Sequence, residues 1–140
     1  MIMGPRTRNG FRAAFAVVGG VVAWIVAATL GNLLLRALLP GYAGVEKAME
    51  FTVGMMIWRL AIGAGSSIAA GAACAAIGRA ARLPVYVLAL LLVALFIPVH
   101  SSLWSKFPIW YHLFFLGTLA PLVILGGRSI RPATSRTAPP

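Results

Sequence analysis

Four apolar runs, each long enough to cross a lipid bilayer, constrain this chain more than any other feature of its sequence. A transmembrane helix needs about 20 mostly apolar residues, with a range of roughly 17–25. Of the 140 residues, 61% are hydrophobic and only 10% are charged, whereas soluble domains carry roughly 45–50% apolar and about 25% charged residues. Because so few charged groups cannot solvate a surface, lipid must cover most of the chain. The runs cover about residues 13–35, 51–77, 83–99 and 109–125.

Residues that end or begin helices separate these runs. Pro40-Gly41 follows the first run, and proline cannot continue a helix while glycine tolerates the turn. Gly78 suits the end of the second helix, and Pro84 suits the first turn of the third. The connectors between the runs are too short to hold a soluble domain.

The predicted fold is all-α: a polytopic integral membrane protein that forms one domain over residues 1–140 as a bundle of four transmembrane helices. We expect the first run to be a retained helix, since it exceeds the roughly 7–15 apolar residues of a cleaved signal peptide. Mobile tails are expected at 1–11 and 128–140, and the second of these is rich in Pro, Ser, Thr and Arg.

The distribution of Lys and Arg predicts the orientation of the bundle. With four spans, eight basic residues fall on the side of both termini and three on the other side. Because cytoplasmic segments carry the excess of Lys and Arg, both termini are expected in the cytoplasm. The formal charge of +10 would suggest a nucleic-acid partner in a soluble protein, but between membrane spans we expect none. The eight are Arg6, Arg8, Arg12, Arg79, Arg82, Arg128, Arg131 and Arg136, and the three are Arg36, Lys47 and Lys106.

Small residues at a spacing of four form a seam along one face of each of the first two helices. In lipid, helices associate by close backbone approach at such residues, although alanine-rich sequences also produce this pattern by chance. We expect the seams to meet, within one chain or across a homodimer, or to dock a larger membrane complex. The third helix lacks a seam and is expected to face lipid most. The seam residues are Gly19, Ala23, Ala27 and Gly31 in the first helix, and Gly63, Ser67, Gly71 and Ala75 in the second.

Arg59 is a permanent cation inside the second apolar run. It lies eight residues after Phe51, which places it about 12 Å into the membrane if the helix enters there. A lone arginine at the bilayer centre costs about 2.5–3.5 kcal/mol on insertion scales. Two interpretations remain open: the side chain reaches outward to the interface, or it turns inward to polar partners.

Several polar groups lie at a depth that would let them join Arg59. Asn32 in the first helix reaches a similar depth, and Ser66 lies on Arg59's own helix face, seven residues further on. Pro98 lacks an N–H and frees the carbonyl of Ala94, four residues earlier. The sequence therefore suggests a polar site in which Asn32, Arg59 and the Ala94 carbonyl meet. The candidate residues for a polar or ligand site are Asn32, Arg59, Ser66, His100 and His112.

His100 and His112 are expected in the same zone of the membrane. Two imidazoles can ligate haem or a metal, or relay protons. Zinc usually takes three or four protein ligands, however, and neither an acidic residue nor the single Cys74 stands at supporting spacing. We therefore predict no metal and no cofactor, and histidines that bond to backbone or headgroups. The haem interpretation is kept as an alternative.

The sequence offers little for catalysis, and no catalytic residue is predicted. The chain has only two carboxylates, Glu46 and Glu50, and we expect both in the first turn of the second membrane helix, where the helix dipole favours them. They provide no buried pair for acid–base chemistry. The segment GAGSSIAAG is a helix interior rather than a phosphate-binding loop. The chain is therefore expected not to be an enzyme.

Two segments resemble a family of small four-helix bacterial inner-membrane proteins to which no activity is assigned. The first is FIPVHSSLWSKFPIWYHLFFLGTLAPLVILGG and the second is MMIWRLAIGAGSSIAAGAA, with WRLAIG and FPIWYH as the most distinctive parts. The resemblance implies a multi-pass protein of the bacterial cytoplasmic membrane. It carries over no functional residue.

Three functional hypotheses follow. The first is a non-enzymatic accessory or scaffold subunit that docks helices through its small-residue seams. The second is a small-solute transporter or channel-like protein that uses Arg59 and Asn32. The third is a haem- or redox-linked membrane subunit that uses His100 and His112.

Overall fold

The computed structural model describes residues 5–130 of the chain, and they form five α-helices with no β-strand among them. Four of the helices are long and apolar enough to cross a membrane. The predicted all-α bundle of four membrane-spanning helices is confirmed, and the protein is a multi-pass membrane protein. The helices are α1 (Pro5–Leu38), α2 (Tyr42–Glu46), α3 (Val53–Ile77), α4 (Arg82–Ser102) and α5 (Ile109–Ser129).

The helix ends differ from the predicted ones mainly at the termini. Helix α1 begins at Pro5 and α5 ends at Ser129, so both helices extend into the segments predicted as tails, 1–11 and 128–140. Arginine is a good helix former, and the hydrogen bonds of a helix do not stop where its apolar run stops. With 34 residues, α1 is about 51 Å long, against a hydrocarbon core about 30 Å thick. The predictions for residues 1–4 and 131–140 lie outside the described residues.

The α1–α3 connector contains a short helix that was not predicted. The chain turns at Gly41, whose φ of 78° is left-handed and suits a residue without Cβ. Helix α2 follows at once. The next helix, α3, begins only after Thr52, whose Oγ1 accepts a hydrogen bond from the Met55 N–H at 3.3 Å. The expectation that Glu46 and Glu50 occupy the first turn of this helix is therefore wrong, since both precede it.

Helix α3 packs directly on the backbone of α5. A Cβ atom added at Gly71 would overlap the carbonyl oxygen of Val123, and one added at Gly126 would overlap the carbonyl oxygen of Ile68. At these two positions glycine is required because a side chain would occupy the place of the other helix's backbone. Close approach of this kind is how helices gain contact in lipid.

Within one chain the two small-residue seams do not meet each other, and their meeting across a homodimer stays a prediction. On α3, Gly71 faces α5 rather than α1. On α1, Gly19 receives the side chain of Ile77 and Gly31 receives that of Ile62, both from α3. Helices α1 and α3 thus pack by placing isoleucine side chains of α3 against glycines of α1. Helical spacing alone does not show which neighbour a small face will meet.

Helix α1, not α4, faces the surroundings most. In the most apolar 18-residue stretch of α1, only 11% of the residues are buried, against 33% in that of α4. The expectation that the third membrane helix faces lipid most is therefore wrong. Its bulky side chains, among them Leu88 and Leu92, fill the core together with Cys74 of α3 and Val123 of α5.

Candidate functional site

A cavity of about 230 Å³ lies among the helices at the end of the bundle that carries α2, called here the α2 end. All four long helices and α2 contribute to its wall. Its side chains are mainly aromatic and apolar, with a few convergent polar groups, which is the usual make-up of a small-molecule site. The lining residues are Trp24, Ala28, Asn32, Glu46, Arg59, Ile62, Gly63, Phe96, Val99, His100, Leu103, Phe107, Tyr111, His112 and Phe115.

Arg59 reaches toward the α2 end and is covered there by side chains of the connector. Its Nη1 donates a hydrogen bond to the Tyr42 hydroxyl at 2.7 Å. Its Cζ lies 4.6 Å from the ring centroid of Phe51, within the range of a cation–π contact. Its Nε is buried and has no hydrogen-bond partner among the described residues. The Tyr111 side chain also lies beside Arg59. The guanidinium thus has two tyrosines and a phenylalanine ring as neighbours, but no carboxylate of the described residues at ion-pair distance.

Tyr42 connects Arg59 to a second polar group. The Tyr42 hydroxyl donates to Oδ1 of Asn32 at 2.7 Å, and Nδ2 of Asn32 donates to Oε1 of Glu46 at 2.8 Å. Nε of Arg36 donates to Oε2 of the same Glu46 at 2.7 Å. Each oxygen of the Glu46 carboxylate is therefore already bonded. This ion pair between Arg36 and Glu46 is the one formed among the described residues, and it leaves Arg59 without a countercharge.

The two histidines form a buried pair on the opposite wall of the cavity. Nδ1 of His100 lies 2.8 Å from Nδ1 of His112, so one nitrogen carries the hydrogen and the other accepts it. His112 is fully buried and His100 is 6% exposed. The Trp104 ring stacks on His112 at 4.8 Å, and the Phe115 ring stacks on His100 at 4.6 Å. Nε2 of His112 has no hydrogen-bond partner within the described part of the chain.

The inner end of the cavity is closed by Trp24. Its Nε1 donates to Oγ of Ser67 at 3.2 Å, and that hydroxyl donates to the carbonyl of Gly63 at 2.7 Å. The Trp24 ring also packs on Phe96 at 4.6 Å between centroids. These contacts join α1, α3 and α4 at one level of the bundle.

The structure brings together four of the five polar residues proposed from the sequence. Asn32, Arg59, His100 and His112 all line the cavity. Ser66 does not line it: its hydroxyl is buried within the bundle with no hydrogen-bond partner among the described residues.

The Ala94 carbonyl is not one of the polar groups of the cavity. Ala94 lies on the exposed side of α4 and is absent from the cavity wall. Similar predicted depth therefore did not show that Ala94 lies on a face of its helix turned away from the cavity.

Sequence reasoning missed the residues that connect the site. Tyr42 is the hub of the polar network, and Glu46 terminates it. Both lie in the connector, where no periodic pattern shows which way a side chain points. The one available signal was Pro40-Gly41 followed at once by an aromatic residue, since such a turn can direct the next residues back over the bundle.

The histidine pair does not fit the haem hypothesis in this arrangement. Two nitrogens bound to opposite sides of one metal ion, at about 2.0–2.1 Å each, lie about 4 Å apart. The facing nitrogens of His100 and His112 are 2.8 Å apart and bond to each other. Over residues 5–130, no group of three His, Cys, Asp or Glu side chains could hold a metal ion.

The ion pair between Arg36 and Glu46 at the α2 end should make the stability of the fold depend on pH. Hydrogen bonds from Arg36 and then Asn32 lower the pKa of the Glu46 carboxyl below its ordinary value. A lowered pKa stabilises the fold above the unfolded-state pKa, and this stabilisation is lost as the pH falls through the folded-state pKa. We expect the wild type to melt at a higher temperature than Glu46→Gln at pH 7, and the difference to shrink as the pH falls through the lowered folded-state pKa of Glu46. Melting curves in detergent across this range check it, and a constant difference would contradict it.

The fold and the cavity define an all-α, multi-pass membrane protein with a cation-containing site between its helices. No protein-family model, curated protein or solved structure matches the chain. Function is therefore inferred from the chemistry of the cavity.

Proposed function

We propose that the protein binds a small anionic molecule in this cavity and acts as a carrier or channel-like membrane protein for it. Arg59 is the cation that holds the anion. This is the transporter-type hypothesis reached from Arg59 and Asn32 in the sequence, now with a cavity in which both residues take part.

The observation that supports the proposal is the state of Arg59. Its guanidinium lies within a membrane-spanning helix and contacts a hydroxyl and an aromatic ring, with Nε buried and unbonded. Intramembrane charges are expensive and usually pair with a countercharge or line a pathway. An anion in the cavity would supply both the countercharge and the missing acceptor.

The charge balance of the surrounding network supports an anion rather than a cation. Two guanidinium groups, Arg36 and Arg59, stand against one carboxylate, Glu46. Arg36 already neutralises that carboxylate at 2.7 Å, so the net charge near the cavity is positive. Arg59 is partly buried, so its charge is screened less than those of the exposed Arg36–Glu46 pair.

The accessory hypothesis receives less support. It depended on small-residue seams that are open to a partner. The glycines of both seams are filled by α3 or α5 of the same chain: Gly19, Gly31, Gly63 and Gly71 each receive a side chain or a backbone carbonyl.

We further propose that the protein belongs to a bacterial cytoplasmic membrane with both termini in the cytoplasm. The resemblance to small bacterial inner-membrane proteins supports the membrane, and the excess of Lys and Arg supports the orientation. The cavity would then open in the outer half of the bilayer.

Calorimetric titration with benzoate tests the proposal, because this probe combines a carboxylate with a ring that suits the aromatic wall. Benzamide is the neutral isostere. We expect benzoate to bind the purified protein in nanodiscs, and Arg59→Gln to weaken it about 10- to 100-fold, since hydrogen bonds to charged groups contribute about 1.5–3 kcal/mol.

Two variants control this experiment. Arg79→Gln removes a cation at the opposite end of the bundle and should leave benzoate binding unchanged. Arg59→Lys keeps the charge and should retain part of the affinity. Equal binding of benzoate and benzamide, or full binding by Arg59→Gln with unchanged melting temperature, would overturn the proposal.

A further inference from the structure

The cavity shares part of its wall with the lipid-facing surface of α1. Three of its lining residues on α1, Trp24, Ala28 and Asn32, also form the wall of a groove of about 330 Å³ that runs along the outer surface of the same helix. The polar interior and the lipid-facing surface therefore share one wall.

The groove is a shallow furrow on one face of α1, and its length suits one hydrocarbon chain. It follows α1 from Trp24 to Arg36, a rise of about 18 Å. One leaflet is half of a hydrocarbon core about 30 Å thick, so the two lengths are comparable. Ile25 and Leu33, which border the groove, are 54% and 50% exposed.

The side of the bundle on which the cavity opens follows from the helix contacts. Between α1 and α3, the side chain of Ile62 fills the space beside Gly31 and separates the cavity from an apolar groove of about 280 Å³. Between α1 and α4 the Trp24–Phe96 contact closes only the inner end. Beyond it, Ala28 of α1 and the partly exposed Val99 of α4 line the cavity.

We infer that the ligand is a single-chain amphiphile with an acidic head, which enters from the bilayer between α1 and α4. The head occupies the cavity at Arg59 and the chain lies in the groove of α1. This inference rests on the proposed function and specifies its ligand class. The positive charge of Arg59 favours an acidic head, and the α1 wall that the groove and the cavity share favours a hydrocarbon chain attached to that head.

A photoactivatable fatty acid with a diazirine in its chain tests the inference on the full-length protein in nanodiscs. We expect the label to map by mass spectrometry to α1 between Trp24 and Arg36, and excess benzoate to displace it. Labelling should fall at least about 10-fold in Arg59→Gln, as for loss of a charged hydrogen bond.

The matched pair Thr29→Trp and Leu30→Trp separates the groove from the rest of the helix surface. Thr29 borders the groove, whereas Leu30 is 61% exposed and lies outside it. Thr29→Trp should fill the groove and abolish labelling there while benzoate affinity stays unchanged. Leu30→Trp should leave both unchanged.

The outcomes distinguish the two proposals. Labelling spread evenly over lipid-facing residues, or equal labelling of the two tryptophan variants, would overturn the inference while Arg59-dependent benzoate binding left the proposed function standing. Equal labelling by the corresponding diazirine alcohol would overturn the acidic head. If neither benzoate binding nor labelling depended on Arg59, both proposals would fail.

Discussion

Replacing Gly71 with alanine will destabilise the bundle by about 1–3 kcal/mol, the range for overpacking a tight contact. Elsewhere in a helix the same change stabilises by roughly 0.5–1 kcal/mol, because alanine loses less conformational entropy than glycine. The sign reverses at Gly71 because its new Cβ would overlap the backbone carbonyl of Val123, which cannot rotate away as a side chain would. Gly126→Ala should behave likewise, since its Cβ would overlap the Ile68 carbonyl.

Gly65 and Gly117 are the matched controls. Each lies within α3 or α5, and a Cβ there meets nothing within 4 Å. Their alanine variants should be neutral or slightly more stable. Unfolding in mixed micelles, followed by circular dichroism with increasing denaturing detergent, measures all four. If the Gly71 and Gly126 variants were as stable as the controls, the α3–α5 backbone contact would be refuted.

Removing the hydroxyl of Tyr42 is expected to have the second-largest effect on the stability of the bundle. Tyr42 is fully buried, and its hydroxyl accepts from Arg59 and donates to Asn32, both at 2.7 Å. Tyr42→Phe keeps the ring packing but leaves a cation and an amide oxygen without this partner. A buried group left unbonded costs about 1–3 kcal/mol, and more when it is charged. The loss of stability should therefore reach at least that range.

Tyr86→Phe is the comparison for Tyr42→Phe, because Tyr86 is 41% exposed on α4. It should change the free energy of unfolding by less than about 0.5 kcal/mol, as is usual for surface substitutions. A further readout links Tyr42 to the site: saturating benzoate should recover part of the stability lost by Tyr42→Phe, since a bound anion stabilises the folded state. Equal stability of the two variants would show that the Tyr42 hydroxyl does not hold the network together.

The structure answers why a permanent cation stands in an apolar helix. Arg59 does extend toward the membrane surface, as a long side chain at this depth can. Its head is nevertheless covered by Tyr42 and Phe51 of the connector and lines an internal cavity. The outward reach of Arg59 and its contact with internal polar partners therefore occur together. The connector covers the guanidinium near the membrane surface and so encloses it.

Several parts of the candidate site could be identified from the sequence. Polar residues are scarce in membrane spans, so Asn32, Arg59, His100 and His112 were conspicuous, and counting residues from the helix ends gave their similar depth. That reasoning gives only the depth of each residue along its helix. It also admitted Ala94 and Ser66, which share the membrane-spanning segments but are not part of the cavity wall.

The missing coordinate is rotation about the helix axis, which decides which neighbour each face meets. The Nδ1–Nδ1 contact of His100 and His112 requires α4 and α5 to turn both rings inward. Gly71 of α3 faces α5 because the backbone carbonyl of Val123 fits there. Neither contact follows from the spacing of residues along a helix. A helix in lipid has no polar outer face that would show which of its sides faces the bundle.

The sequence by itself determined the number of membrane helices, most of their ends and the few polar residues available for function. It could do so because lipid demands long apolar runs, and because proline and glycine interrupt them. The tertiary structure alone decided that α2 folds over the bundle and that Glu46 pairs with Arg36, so that Arg59 is left as an unpaired cation in a cavity. Those outcomes depend on contacts between segments far apart in the chain, and the free energy of such contacts is not encoded in the local sequence of either partner.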